Sequence, residues 1–268
     1  MQLLEKSVDG YSFYRRVLRT LNTRGVQYLV GGAQTLENFT GITRKVKDLD
    51  IYVRPQDVSL TLDSLFSAGY RTEISFPHWL AKARERKLFV DIIFRSGNGL
   101  CEVNDIWFEH AVEGKLFGMP VRFCSAEEMI WSKAFVMERE RYDGADIAHL
   151  LRSCAEQIDW QRLLFHFGPY WRVLLSHLIL FGFIYPGERS LLPDWVLRQL
   201  LDRLQNETDI TGPLLKLCQG TLLSRIQYTT DVDNWGYQDA RLQPFGPMQP
   251  EEAAQWTGEA AKASSSLA

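Results

Sequence analysis

The chain has 268 residues, of which 46% are hydrophobic and 24% are charged, so it can bury a sizeable core in one large domain or two smaller ones. Its net charge of -3 gives no sign of a strongly nucleic-acid-binding protein. The four cysteines are widely spaced and form no CxxC pair, which argues against a disulfide framework or a zinc site and fits a reducing cytoplasm.

Insertion into a membrane is not predicted. The longest apolar run, residues 173–185, includes His177 and is too short to cross a bilayer, so it predicts a buried helix. The amino terminus lacks the charged-then-apolar pattern of a signal peptide. We therefore expect a cytoplasmic protein with no membrane partner.

The first part of the chain alternates helical and strand patterns. Apolar residues at helical spacing before Gly25 predict an amphipathic first helix, on the stripe Tyr14, Val17, Leu18 and Leu21. The next predicted elements are a strand over residues 26–30, the glycine pair Gly31-Gly32, a helix over residues 33–39 and a strand over residues 48–53.

A third helix and three more strands follow. Pro55 and an apolar stripe that ends at Gly69 predict the helix. Strand patterns cover residues 71–76, 87–94 and 119–124. Basic residues between two of these strands are more typical of a solvated hairpin than of a nucleic-acid surface, and they are Lys82, Arg84, Arg86 and Lys87.

The second half of the chain has helical periodicity without convincing strands. We therefore expect an α+β fold, with a mixed sheet flanked by helices over residues 1–124 and a helical bundle over residues 125–230. Residues 231–268 are rich in proline, glycine and serine and lack a periodic apolar face, which predicts a loosely ordered tail.

Three aspartates carry the strongest chemical signal. Asp48 and Asp50 lie one pleat apart on the strand over residues 48–53, so they share a face that the apolar side chains avoid. Asp91 lies within an apolar strand, where a carboxylate is costly to bury unless a metal, an arginine or backbone donors pair with it. Carboxylate oxygens are hard ligands that suit Mg²⁺. The pattern predicts a metal site with three carboxylates.

In their order along the chain, these residues resemble the nucleotidyltransferase superfamily, which includes DNA polymerase β and the antibiotic-modifying and toxin-type bacterial nucleotidyltransferases. Its signature is an apolar strand ending in Gly-Gly or Gly-Ser, a short helix, Asp-x-Asp on the next strand and a third acid on a later strand. This chain has Gly31-Gly32, Asp48-Leu49-Asp50 and Asp91 in that order. The resemblance covers about residues 10–152 and implies that residues 1–124 form a catalytic domain.

The resemblance implies a transferase that moves an NMP from an NTP to an acceptor hydroxyl by a two-metal mechanism. Asp48, Asp50 and Asp91 would be the catalytic residues and would hold two Mg²⁺ ions. Asp91 would bind the metal nearest the acceptor and help to deprotonate its hydroxyl. The residues implied to bind the NTP are Gly31, Gly32, Arg44, Lys47 and Lys133.

These NTP-binding roles have separate reasons. The two glycines would let the backbone approach the phosphates, and the following helix would present free N–H groups to the anion. Arg44 and Lys47 would add positive charge. Lys133 lies beside an apolar helix stripe, where toxin-type relatives carry a lysine that serves the triphosphate, although such a side chain can also extend to solvent.

The acceptor stays open among a tRNA or other RNA end, a protein hydroxyl and a small molecule such as an aminoglycoside. A toxin-type context would add a protein partner such as an antitoxin. A metal-dependent glycosyltransferase also uses Asp-x-Asp, but that alternative leaves the glycine pair and Asp91 unexplained. A catalytically degenerate fold acting as a binding partner is the non-enzyme alternative, and the retention of all three acids argues against it.

Overall fold

The structure is a computed structural model that describes residues 8–44, 48–207 and 216–265. The chain divides into two compact units, Met1–Ser125 and Ala126–Ala268, next to the predicted boundary after residue 124. The first unit contains a seven-stranded mixed sheet with helices, and the second is mainly helical. The predicted α+β fold class is therefore confirmed.

The first unit contains four helices and seven strands in the part of the chain that the structure describes. The helices are α1 Val8–Thr23, α2 Gly32–Thr40, α3 Val58–Ser67 and α4 Asp105–Glu109. The strands are β1 Leu29–Val30, β2 Leu49–Tyr52, β3 Arg71–Phe76, β4 Leu80–Glu85, β5 Leu88–Ile93, β6 Val112–Leu116 and β7 Met119–Phe123. Among these, β4, β6 and α4 were not predicted.

The sheet has the strand order β3-β4-β5-β2-β1-β7-β6. Strand β2 pairs in parallel with β5 and antiparallel with β1, and β4 pairs antiparallel with both β3 and β5. This order brings the strand that carries Asp50 directly beside the strand that carries Asp91. The β4–β5 hairpin then places one more strand next to Asp91.

Helices α1 and α3 pack against one face of the sheet and form the core of the first unit with it. The predicted stripe of α1 is fully buried, at 0% exposure for Tyr14, Val17, Leu18 and Leu21. Facing it are alternate residues of the two central strands, Leu49, Ile51, Val90 and Ile92. Burying one aliphatic side chain of this size stabilises a fold by about 1.5–3 kcal/mol. Because side chains alternate along a strand, Asp50 and Asp91 lie on the opposite face.

Among the described residues, the second unit contains the remaining α-helices and strands. They are α5 Ala126–Ala134, α6 Gly144–Cys154, α7 Trp160–Phe167, α8 Trp171–Ile184, α9 Asp194–Gln205, β8 Leu217–Cys218, α10 Thr229–Asp233, β9 Gln238–Asp239 and α11 Pro250–Ser265. The expectation of helices alone needs a small correction, because β8 and β9 pair in parallel as a two-stranded sheet. Two-residue strands leave no alternation that a sequence pattern could reveal.

The prediction of a loosely ordered tail over residues 231–268 is also corrected for its described part. Arg241 is only 4% exposed, and its guanidinium donates to the Asp239 carboxylate at 2.6 Å. Trp256 on α11 is 9% exposed. Arg241 also donates to the Thr257 hydroxyl at 3.1 Å and lies 5.9 Å from the centroid of the Trp256 ring, and such contacts produce no periodic apolar pattern.

One stretch, Trp160–Ile184, is long and apolar enough by length and composition to cross a membrane. It contains α7 and α8, which a 3-10 turn at Gly168–Tyr170 separates. Helix α8 covers most of the predicted buried helix over residues 173–185, and it buries a full row of side chains, namely Trp171, Leu174, Leu175, His177, Leu178 and Phe181. The core helix of a packed domain accounts for this composition equally well.

Candidate active site

Three carboxylates converge on the sheet face opposite α1 and α3. One ligand oxygen from each of Asp48, Asp50 and Asp91 lies within 4.8 Å of the others, and all three residues are half-buried. Asp50 pairs in register with Asp91 across the parallel strands β2 and β5, and Asp48 immediately precedes β2. The structure thus brings together the three acids that the sequence singled out, in a donor set of hard oxygens that fits Mg²⁺.

The glycine pair shapes this cluster directly. Gly31 is the N-cap of α2, and its N–H donates to the backbone carbonyl of Asp50 at 3.0 Å. A Cβ at position 31 would overlap the Tyr52 ring and lie 3.2 Å from its Cζ. Gly32 has φ +57°, and a Cβ there would overlap the Asp50 carboxylate and lie 2.7 Å from its Cγ. Both positions therefore exclude a side chain because it would collide with Tyr52 or Asp50. This steric reason adds to the predicted one, which is that glycine lets phosphates approach the backbone.

Asp91 has a cationic partner. Lys82 Nζ donates to Asp91 Oδ1, and the two side chains are 16% and 15% exposed. Burial raises the pKa of Asp91 above its ordinary value and Asp48 raises it further, although Lys82 and Arg84 act in the opposite direction. The predicted need for a partner to this carboxylate is therefore met in the structure by a lysine.

The negative charge of the three acids affects the pKa of a tyrosine in the core on the other face of the sheet. Burial, followed by the negative charges of Asp48, Asp50 and Asp91, raises the pKa of Tyr14 to about 12. Tyr14 is fully buried and stacks on Phe117 with ring centroids 6.0 Å apart. Its burial and its stacking on Phe117 make Tyr14 a packing residue of the first unit.

The basic residues predicted to bind the NTP differ in their surroundings. Arg44 is exposed at the end of the described segment after α2. Lys47 lies outside the described residues. Lys133 on α5 belongs to the second unit, where its ammonium contacts Asp143 at 2.9 Å and Asp146 at 2.8 Å. In this structure Lys133 therefore joins α5 to the start of α6, and its predicted role toward the triphosphate stays a prediction.

The Asp143 carboxylate should make the stability of the second unit sensitive to acid. Burial alone would raise its pKa, but Arg141, which donates to both carboxylate oxygens, and Lys133 outweigh burial and lower the pKa to about 2. A folded-state pKa below the ordinary 3.8 gives stability that is fully present above pH 4 and is lost as the pH falls to 2. The contribution is about 2 kcal/mol.

We expect Asp143→Asn to lower the free energy of unfolding at pH 6 by about 2 kcal/mol and to flatten its decline between pH 4 and pH 2. Urea unfolding at a series of pH values measures both effects. Asp194→Asn is the matched control, because that carboxylate is 85% exposed and its Arg198 partner is 3.7 Å away. Equal losses in the two variants would contradict a special role for Asp143.

Sequence reasoning missed Lys82, which was expected to belong to a solvated hairpin. Strand β4 alternates buried alanines with charged residues, so Ala81 and Ala83 face the core while Lys82 and Arg84 face the acids. The hairpin turn at Arg86, with φ 55°, sets the register that pairs Lys82 with Asp91. The alternation was visible in the sequence, but the register was not.

The chain was compared with protein families and with known proteins. A model of the family described as "Uncharacterised nucleotidyltransferase" matches residues 12–167. A search of curated proteins finds no significant match.

Several solved structures are similar to the chain. The antibiotic-resistance factor ANT(2'')-Ia is 18% identical, with a TM-score of 0.44 over 62% of this chain and 95% of that chain. The lincosamide antibiotic adenylyltransferase LnuA, solved with lincomycin bound, is 19% identical, with a TM-score of 0.38 over 52% of this chain and 94% of that chain. JHP933 from Helicobacter pylori is 15% identical, with a TM-score of 0.37 over 96% of each chain.

The family match confirms the suspected superfamily and the expectation of a transferase enzyme, and it favours nucleotidyl transfer over the glycosyltransferase alternative. It spans more than half of the chain and includes the glycine pair and all three aspartates. The chain therefore belongs to the family of uncharacterised nucleotidyltransferases.

Proposed function

We propose that the chain transfers an NMP from an NTP to an acceptor hydroxyl, with two Mg²⁺ ions held by Asp48, Asp50 and Asp91. The observation that carries the proposal is the convergence of these carboxylates within 4.8 Å on one sheet face, in a chain of a nucleotidyltransferase family. Isolated acidic clusters are common, but this cluster combines adjacent parallel strands with a glycine pair that makes room for it.

The reaction forms a bond between the acceptor oxygen and the α-phosphorus of the NTP. The bond from the α-phosphorus to the bridging oxygen breaks, so pyrophosphate leaves and the hydroxyl proton must be taken up. Bound Mg²⁺ would neutralise the triphosphate and make the hydroxyl easier to deprotonate. Asp48 and Asp50 would ligate the metals, and Asp91 would bind the metal nearest the acceptor and help to deprotonate its hydroxyl.

The groups around the acids position the NTP. The N–H groups in the first turn of α2, which begins at Gly32, offer donors and a positive helix end to the phosphates. Arg44 and Lys47 add positive charge from the segment between α2 and β2. Lys133 is also proposed to serve the triphosphate, and in this structure its ammonium is paired with Asp143 and Asp146.

A labelling experiment tests this proposal and identifies the acceptor class. The full chain is incubated with Mg²⁺ and each of the four NTPs, labelled either at the α- or at the γ-phosphate, in three arms that add cell RNA, cell protein or a panel of small hydroxyl compounds. We expect one arm to become labelled from the α-phosphate and to stay unlabelled from the γ-phosphate, because a nucleotidyl group moves. EDTA should abolish the signal.

The outcomes separate the alternatives. Label from the γ-phosphate would show a phosphoryl transferase and would overturn the proposal. The absence of labelling with any NTP, together with the absence of Mg²⁺-dependent NTP binding by calorimetry, would support a catalytically degenerate binding protein instead. The arm in which label appears identifies the acceptor as an RNA, a protein or a small molecule.

A further inference from the structure

A lysine that sequence analysis assigned to a solvated hairpin lies inside the proposed site. Lys82 pairs in register with Asp91 across the antiparallel strands β4 and β5, and Asp91 pairs in register with Asp50. These three side chains therefore form one row across the acidic face of the sheet. The ammonium of Lys82 donates to Asp91 Oδ1, and both side chains are about five-sixths buried.

The surroundings of Lys82 fix it in this position. Its Nζ lies 4.5 Å from the centroid of the Phe89 ring, one pleat before Asp91 on β5. The neighbouring cation on the same strand face, Arg84, donates instead to Glu73 at 2.8 Å and 3.0 Å. Lys82 is therefore the cation of β4 that donates to Asp91, whereas Arg84 donates to Glu73 on β3 and influences Asp91 only through its charge.

A buried pair of this kind has a defined electrostatic effect. The three carboxylates carry three negative charges within 4.8 Å and repel one another. Lys82 offsets one of these charges and ties Asp91 to the acidic face. Its positive charge equally opposes the entry of a divalent cation.

We infer that Lys82 is a positioning residue that acts as a built-in counter-ion of the acidic cluster. It holds Asp91 in place in the metal-free protein and weakens the binding of a free divalent cation, so that Mg²⁺ binds firmly only together with the negatively charged NTP. This inference rests on the proposed function, because it assumes that the three aspartates are the metal site.

The test measures Mn²⁺ binding to the NTP-free full chain by the electron paramagnetic resonance signal of free Mn²⁺. We expect Lys82→Met, which keeps the apolar stem over Phe89 but removes the charge, to bind Mn²⁺ about 10-fold more tightly than the wild type. Lys82→Arg keeps the charge and should restore wild-type affinity to within about threefold. Arg84→Met is the matched control on the same strand face, and because Arg84 acts on Asp91 only through its charge and donates to Glu73, the change should stay within about threefold.

A kinetic measurement distinguishes the role of Lys82 in orienting Asp91 from the effect of its positive charge on cation binding. With saturating Mg²⁺ and NTP, Lys82→Met should lower kcat by about 10-fold and change KM for the NTP much less, because Asp91 loses the partner that orients it. Lys82→Arg should recover most of kcat. Lys82→Gln is measured alongside as a second neutral variant, so the result does not depend on the folding of one protein.

Unchanged or weaker Mn²⁺ binding in both neutral variants would overturn the inference and leave Lys82 as an ordinary cross-strand ion pair. Failure of the proposed function has a different signature, in which neither the wild type nor the neutral Lys82 variants bind Mn²⁺ and Mg²⁺ with NTP does not raise the unfolding midpoint of the wild type. That second result would remove the role of Lys82 together with the metal site.

Discussion

Asp50→Asn is expected to lower nucleotide transfer by about 1,000-fold or more while the protein stays folded. Asparagine keeps the shape of the side chain but loses the charge that a divalent cation needs, and a loss of about 4 kcal/mol of transition-state stabilisation corresponds to this factor. Because the residue lies among carboxylates within 4.8 Å, removing one charge should leave the unfolding midpoint unchanged or raise it. Steady-state transfer rates and thermal unfolding measure the two effects.

The same variant separates metal binding from folding. Mg²⁺ with NTP should raise the unfolding midpoint of the wild type by mass action and should leave that of Asp50→Asn unchanged. Asp63→Asn makes the same chemical change on the exposed surface of α3 and should behave as the wild type in every measurement. Transfer at the wild-type rate by Asp50→Asn would show that the acidic cluster is not the catalytic centre.

Gly32→Ala is expected to damage both the site and the fold. The left-handed backbone at φ +57° costs alanine about 1 kcal/mol or more, and the added Cβ must also displace the Asp50 carboxylate, whose Cγ would be 2.7 Å away. We expect a fall in the free energy of unfolding of about 2–4 kcal/mol, since steric conflict adds to backbone strain. Transfer should fall by about 100-fold because the carboxylate loses its position.

Gly41→Ala provides the matched control at the other end of the same helix. Gly41 has φ +70°, but a Cβ there would meet nothing within 4 Å. It should therefore show the backbone cost of about 1 kcal/mol without loss of transfer. Urea unfolding and transfer assays compare Gly32→Ala, which combines backbone strain with a steric conflict, with Gly41→Ala, which has backbone strain alone. Equal stability losses and full activity in both would contradict the view that Gly32 makes room for Asp50.

The parts of the fold that the sequence predicted best are those with a strong period. The α1 stripe was evident because four large apolar residues recur at helical spacing, and all four are fully buried. Asp48 and Asp50 were placed on one face because strand alternation is a local property. Strand β4 was missed because alanine, lysine and arginine are weak strand formers, so its alternation carried little signal.

The parts that could not be predicted depend on contacts between distant residues. The steric conflict that keeps position 32 a glycine arises only when β1 pairs with β2 and brings Asp50 beside it. The pairing of Lys82 with Asp91 requires the turn at Arg86, where a positive φ on arginine has no sequence signature. In the packed segment after residue 231, Arg241 contacts Thr257 and Trp256 on α11, and no periodicity reveals these contacts.

The parallel pairing of β2 with β5 has a consequence for how this site can diverge. Asp50 and Asp91 meet only because each lies at the correct odd or even position of its own strand. The loops in the connection between these strands, residues 53–87, can lengthen or shorten without disturbing the acids, since loop length carries a small free-energy cost. One residue gained or lost inside β5 would turn Asp91 toward the apolar layer of Tyr14 and Leu18. The site therefore tolerates insertions and deletions in the loops between the strands, but it does not tolerate a one-residue insertion or deletion inside either strand.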